Sequence, residues 1–68
     1  MKRYWYVLIE HYDTKKVKAA IIKEKLSMEM PINTYRREPG RKIIGKWCES
    51  LTLARAIVAY EIGSSINS

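Results

Sequence analysis

The chain has 68 residues and a net charge of +6, from 13 Lys/Arg against 7 Asp/Glu, with one cysteine and one histidine. That length gives one small core, which buries only about 60% of the unfolded surface and is marginal without help. The lone Cys48 excludes an intrachain disulfide, and Cys48 with His11 makes no zinc site without carboxylates or a second chain, so self-association is the expected support.

The run Tyr4–Ile9 behind Met1-Lys2-Arg3 is too short for the apolar region of a signal peptide. Leu51–Ile62 is interrupted by Thr52, Arg55 and Glu61 and falls short of the about 20 residues of a membrane span. A soluble cytoplasmic protein without a membrane partner is expected, and an unpaired thiol fits a reducing compartment. The charge is unevenly placed. Residues 1–18 carry five Lys/Arg against two acids, residues 19–46 seven against three, and residues 47–68 one against two. A basic field on one part of a small domain favours an anionic partner, most often nucleic acid.

In chain order, Arg3–Tyr12 is dense in aromatic and β-branched residues and reads as a strand. Trp5, Val7, Ile9 and His11 share one face, and Tyr4, Tyr6, Leu8, Glu10 and Tyr12 the other. Asp13–Lys16 reads as a turn. Val17–Glu24 fits a strand or a helix. The short link to the first strand favours a hairpin, with Val17, Ala19 and Ile21 on one face and Lys18, Ala20 and Ile22 on the other. Lys25–Arg41 has no clean period, contains Pro31 and the turn signal Pro39-Gly40, and is long for a structureless loop, so part of residues 32–37 is a candidate strand. Lys42–Glu49 is a strand. Ser50 is an N-cap for a helix from Leu51 whose apolar face is Leu51, Ala54, Ile57, Val58 and Ile62, ended by Gly63. Residues 1–63 read as one domain and 64–68 as a flexible C-terminal tail. The fold class is α+β: a small antiparallel sheet packed on one C-terminal helix, three-stranded, or four-stranded if residues 32–37 contribute.

No Gly-rich phosphate loop, zinc spacing or Ser-His-Asp order is present, and the acids are scattered among Lys and Arg. Cys48 with His11 would need spatial adjacency to act as a nucleophile and base, and a lone apolar-strand Cys is usually core filler. No catalytic residue, metal or cofactor is expected. Arg3, Lys15, Lys16, Lys18, Arg36, Arg37, Arg41, Lys42 and Lys46 surround a sheet carrying Tyr4, Tyr6 and Tyr12, the residue types that neutralise phosphates and stack on bases. These nine are the candidate nucleic-acid contacts, with duplex DNA favoured over RNA, because a small sheet can enter the major groove. Tyr4, Tyr6 and Leu8 on the sheet, with Leu53 and Tyr60 on the helix, are instead suited to a protein contact. They are the candidate interface of a homodimer or of a complex with a protein partner.

Trp5-Tyr6-Val7 with Ile9, the turn Tyr12–Lys16, two further strands and the corner Ser50-Leu51-Thr52 with Ala54 resemble the arm-type DNA-binding domain of phage and transposon tyrosine recombinases, itself similar to the plant AP2 domain. The resemblance covers Tyr4–Ile62. It implies a three-stranded sheet on one helix that reads the major groove, with Arg3, Lys15, Lys16 and Lys18 as cations of the first strand and turn and Lys46 on the third strand. The chain departs from that family in having no Gly in the first turn, a longer stretch over Lys25–Arg41, and no attached catalytic domain. The expected function is that of a non-enzymatic nucleic-acid-binding accessory protein of a mobile element. The alternative is a homodimeric interaction or regulatory module that uses the apolar sheet face.

Overall fold

In the computed structural model the chain forms β1 (Lys2–Tyr12), β2 (Val17–Ser27), β3 (Thr34–Glu38), β4 (Arg41–Cys48) and α1 (Leu51–Asn67). The structure describes the backbone of residues 1–67 and the side chains of residues 1–63. One four-stranded sheet has the order β2-β1-β4-β3, antiparallel at every pairing. The α+β fold with one C-terminal helix is therefore present, with the fourth strand. Val17–Ser27 is strand, not helix, and the long middle stretch resolves into the end of β2, a connection over residues 28–33, and β3. That connection is tied to β4 where the Trp47 backbone N–H donates to Asn33 Oδ1 at 2.8 Å, just before the start of β3.

β1 lies between β2 and β4. Both hairpin turns use left-handed residues, but by different chemistry. In Pro39-Gly40, Pro fixes one φ and Gly40 takes φ 84°, the pattern of a type II turn, between the paired residues Glu38 and Arg41. At the β1–β2 turn, Lys15 N–H donates to Tyr12 O and Tyr12 N–H to Lys16 O, each at 2.9 Å, which forces Lys15 to φ 71°. A side chain there costs about 1–2 kcal/mol that glycine avoids, offset in part by glycine's larger unfolded-state entropy. Lys15→Gly should therefore raise stability by about 0.5–1 kcal/mol. Urea denaturation reads this directly, and a midpoint no higher than that of the parent would refute it. The Asp13 N–H donates to Gly40 O at 2.9 Å, so the two turns are bonded side by side.

The β1–β2 register slips once. Tyr6 pairs with Lys23 and Val7 with Ile21, which leaves Ile22 as an extra residue, a β-bulge. Before it, even-numbered residues of β2 face away from the helix. After it, odd-numbered ones do.

Helix α1 starts as expected. Ser50 Oγ accepts from Leu53 N–H at 3.0 Å, and Ser50 O from Ala54 N–H at 3.1 Å. It lies over β2 and β1, touches β4 least and does not reach β3. Ala54 is 0% exposed and joins Val7, Ile9 and Cys48 in the core. Trp5, Val17, Ala19, Ile21, Ile44, Ile57 and Val58 pack around them. The small Ala54 lets the helix backbone come close to the sheet. The helix end differs from the sequence-based expectation. Gly63 has no positive φ and does not stop the helix, which continues to Asn67. A mid-helix Gly costs only about 1 kcal/mol against Ala, and there is no Pro after it to end the helix. The tail expected over residues 64–68 is thus helical backbone over 64–67, and Ser68 lies outside the described residues. Ile62 is exposed, and its place toward the sheet goes to Glu61, whose carboxylate is 3.2 Å from His11 Nε2.

Candidate nucleic-acid interface

The register sorts every strand residue onto one of two faces. Trp5, Val7, Ile9 and His11 of β1 lie opposite Cys48, Lys46, Ile44 and Lys42 of β4, and this face carries α1. Tyr6, Leu8, Glu10 and Tyr12 lie opposite Trp47, Gly45, Ile43 and Arg41 on the other, open face.

The nine candidate cations do not share one surface. Lys18, Arg36 and Arg41 are on the open face, by pairing with Glu10, Ile43 and Tyr12. Arg3, Arg37, Lys42 and Lys46 are on the helix side, and Lys15 and Lys16 are in the turn. Period-two alternation separates neighbours such as Arg36 and Arg37.

The arginines are also largely occupied. Arg3 pairs with Glu24 at 2.8 Å, Arg36 with Glu38 at 3.0 Å and Arg37 with Asp13 at 3.1 Å. These pairs are solvent-exposed or half-exposed and stabilise little. Arg41 is part-buried and bridges Glu10 at 2.6 Å and Glu38 at 2.9 Å, with the Tyr12 hydroxyl at 3.4 Å. Its bonds to Glu38 and then to Tyr12 hold the guanidinium more firmly protonated than usual. The Tyr12 hydroxyl donates to Glu10 at 2.7 Å. That bond first, then the Arg41 and Lys18 charges, depresses the Glu10 carboxyl below its usual range against the opposing effect of burial. A depressed folded-state pKa stabilises the fold above the unfolded value of about 4.3, and that contribution is lost as pH falls through the lower folded value. The melting-temperature gap between the parent and Glu10→Gln should therefore be flat from about pH 7 to 5 and close in stronger acid. A gap that survives acid would show that the carboxylate charge is not its source.

Three lysines of β2 stand outside the ion pairs. Lys18 Nζ is 5.7 Å from the Tyr12 ring centre, and Lys23 Nζ is 5.1 Å from that of Tyr6 and 5.8 Å from that of Trp47. Lys25, opposite Tyr4, continues the row. None of the three forms an ion pair among the described residues. Lys23 and Lys25 are absent from the sequence-derived set. Strict alternation would put them on the opposite face from Lys18, and the bulge at Ile22 brings all three together.

The open face has a small buried cluster of its own. Tyr4 is 4% exposed and Trp47 9%, both outside the core under the helix. Tyr6 and Trp47 are 4.8 Å apart with planes tilted by 44°. The Tyr6 ring crosses Gly45 and its hydroxyl meets Thr34 Oγ1 at 3.1 Å. Of the candidate interface residues, Tyr4 is thus inside the chain. Tyr6 and Leu8 are half-buried, while Leu53 and Tyr60 stand out from the helix at 49% and 71% exposure.

Cys48 and His11 are not brought together. Cys48 pairs with Trp5, six residues along β1 from His11, roughly 20 Å away. Burial pushes the Cys48 thiol up, away from the reactive thiolate. Among the described residues no group of three or more His, Cys, Asp or Glu could hold a metal ion, and no helix is long and apolar enough to cross a membrane. In comparisons with known proteins, no family model, curated protein or solved structure matches the chain.

Proposed function

We propose that the protein is a small non-enzymatic nucleic-acid-binding protein that holds duplex DNA against the open face of its sheet, along β2. The observation that carries this reading is the row Lys18, Lys23 and Lys25, none of them in an ion pair among the described residues and set beside Tyr6 and Tyr12, with Lys18 opposite Glu10. Lysines so placed neutralise successive phosphates, and an antiparallel ribbon is narrow enough to follow a groove. An accessory role in the cytoplasm, in the service of a mobile element, is supported by the resemblance of the Trp5–Ile9, Tyr12–Lys16 and Ser50–Ala54 segments to arm-type recombinase domains. The test is duplex affinity measured against salt. Affinity should fall linearly on a log–log scale as salt rises, and absence of binding at low salt, or binding indifferent to salt, would reject the proposal.

A second reading rests on the outer surface of α1. Leu53, Ala56 and Tyr60 are exposed and fall on one helical stripe with no charged residue among them. A homodimer joined there would supply the extra burial that a chain of this size needs. Light scattering of the parent and of Leu53→Glu/Tyr60→Glu separates the cases. A monomer at all concentrations would exclude the dimer without touching the nucleic-acid proposal.

A further inference from the structure

The helix leaves part of its side of the sheet uncovered, because it lies over β2 and β1, touches β4 least and does not reach β3. What remains is a shelf beside the helix, formed by β3 and the part of β4 that pairs with it, roughly 10 Å across. By register it carries Tyr35 and Arg37 of β3 and Lys42 and Lys46 of β4, with the partly buried Ile44 between the two lysines, while Cys48 at the end of β4 is in the core beneath the helix. No acidic side chain occupies any of these positions.

Tyr35 stands at the centre of this shelf. It pairs with Ile44, so Lys42 and Lys46 flank it diagonally, about 13 Å from each other, and Arg37 is next on its own strand and face. Tyr35 is 65% exposed, and its side chain makes no hydrogen bond, ion pair or ring contact among the described residues. The sheet tyrosines Tyr6 and Tyr12, by contrast, are held by neighbours. Lys42 and Lys46 form no ion pair among the described residues, and Arg37 is held by Asp13 at the turn end.

We infer that this shelf is a binding site for single-stranded nucleic acid, separate from the duplex-binding face proposed above. An exposed ring between two unpaired cations offers one stacking surface with a phosphate contact on either side. A duplex cannot use the ring, because its bases already stack on one another. A single strand offers free base faces and fits a step bounded on one side by a helix. The site is sequence-tolerant, since nothing on the shelf reads base edges.

The probe is a fluorescently labelled oligothymidylate, with a blunt duplex of mixed sequence as the parallel arm, both followed by anisotropy. Tyr35→Ala should weaken single-strand binding about 5- to 150-fold, and Tyr35→Phe should restore it. Lys42→Ala/Lys46→Ala should make the single-strand salt dependence shallower by about 1.4. Duplex binding should be unaffected by Tyr35→Ala. Tyr35 is exposed, so these variants keep the fold, which circular dichroism verifies. The inference is overturned if the oligothymidylate does not bind, or if Tyr35→Ala binds it as the parent does. Loss of duplex binding alone would reject the open-face proposal and leave the shelf standing.

Discussion

Gly45→Ala should destabilise the protein by about 2–4 kcal/mol, made up of overpacking and a disrupted side-chain hydrogen bond. Gly45 is buried at the centre of β4, and the Tyr6 ring lies over it. A Cβ there would collide with the Tyr6 ring and hydroxyl and with Thr34 Oγ1. The ring has little room to yield, because its hydroxyl bonds Thr34 at 3.1 Å and its face meets Trp47 at 4.8 Å. For a domain of this size total stability is only about 3–10 kcal/mol, so one methyl group would consume a large share. Denaturation of the two single variants and of Gly45→Ala/Tyr6→Ala tests the collision directly. The double variant should be more stable than the summed single costs allow by at least about 1 kcal/mol. Additive costs would mean that the ring does not sit on Gly45. The position also matters for binding, since the same ring sets where Lys23 stands on the open face.

The second large effect is on binding. Replacing Lys18, Lys23 and Lys25 with Ala should make the salt dependence of duplex binding shallower by about 2–3 and strip most of the low-salt affinity, since each lysine that neutralises a phosphate contributes about 0.9 to the slope. The substitution halves the formal net charge of +6, so charge alone must be excluded. Lys42, Lys46 and Arg55→Ala removes the same charge from the helix side and should change the duplex slope by less than about 1. Equal losses in both triples would reduce the binding to net charge and remove the open face as its site. The arginines are a poorer probe. Arg36, Arg37 and Arg41→Ser would also release Glu38, Asp13 and Glu10, adding negative charge to the surface being tested.

Much of the fold was legible because it is written in local chemistry. The aromatic and β-branched run of β1 marked it as a strand, and its place between β2 and β4 came only from the pairing. Ser50 marked the helix start, and the structure has the cap bond at that residue. Pro39-Gly40 marked a turn and forms one. Gly63 misled because a glycine is compatible with both a stop and a continuation, and only the residues after it decide between them. β3 was visible only as a candidate within residues 32–37, since five residues rich in Arg and Glu have no apolar alternation to betray them.

The binding surface was less legible. The sequence determined that the chain is basic and that its excess charge lies before residue 47. Tertiary structure decided which charges are available and where. Ion pairs formed across 21 to 31 residues of sequence took up Arg3, Arg37 and Arg41. One extra residue, Ile22, reversed the alternation of β2 and set Lys23 and Lys25 beside Lys18. The physical reason is that a side chain's face depends on counting by twos from a register, and the register of β2 is set by its pairing with β1, which no local window of sequence contains.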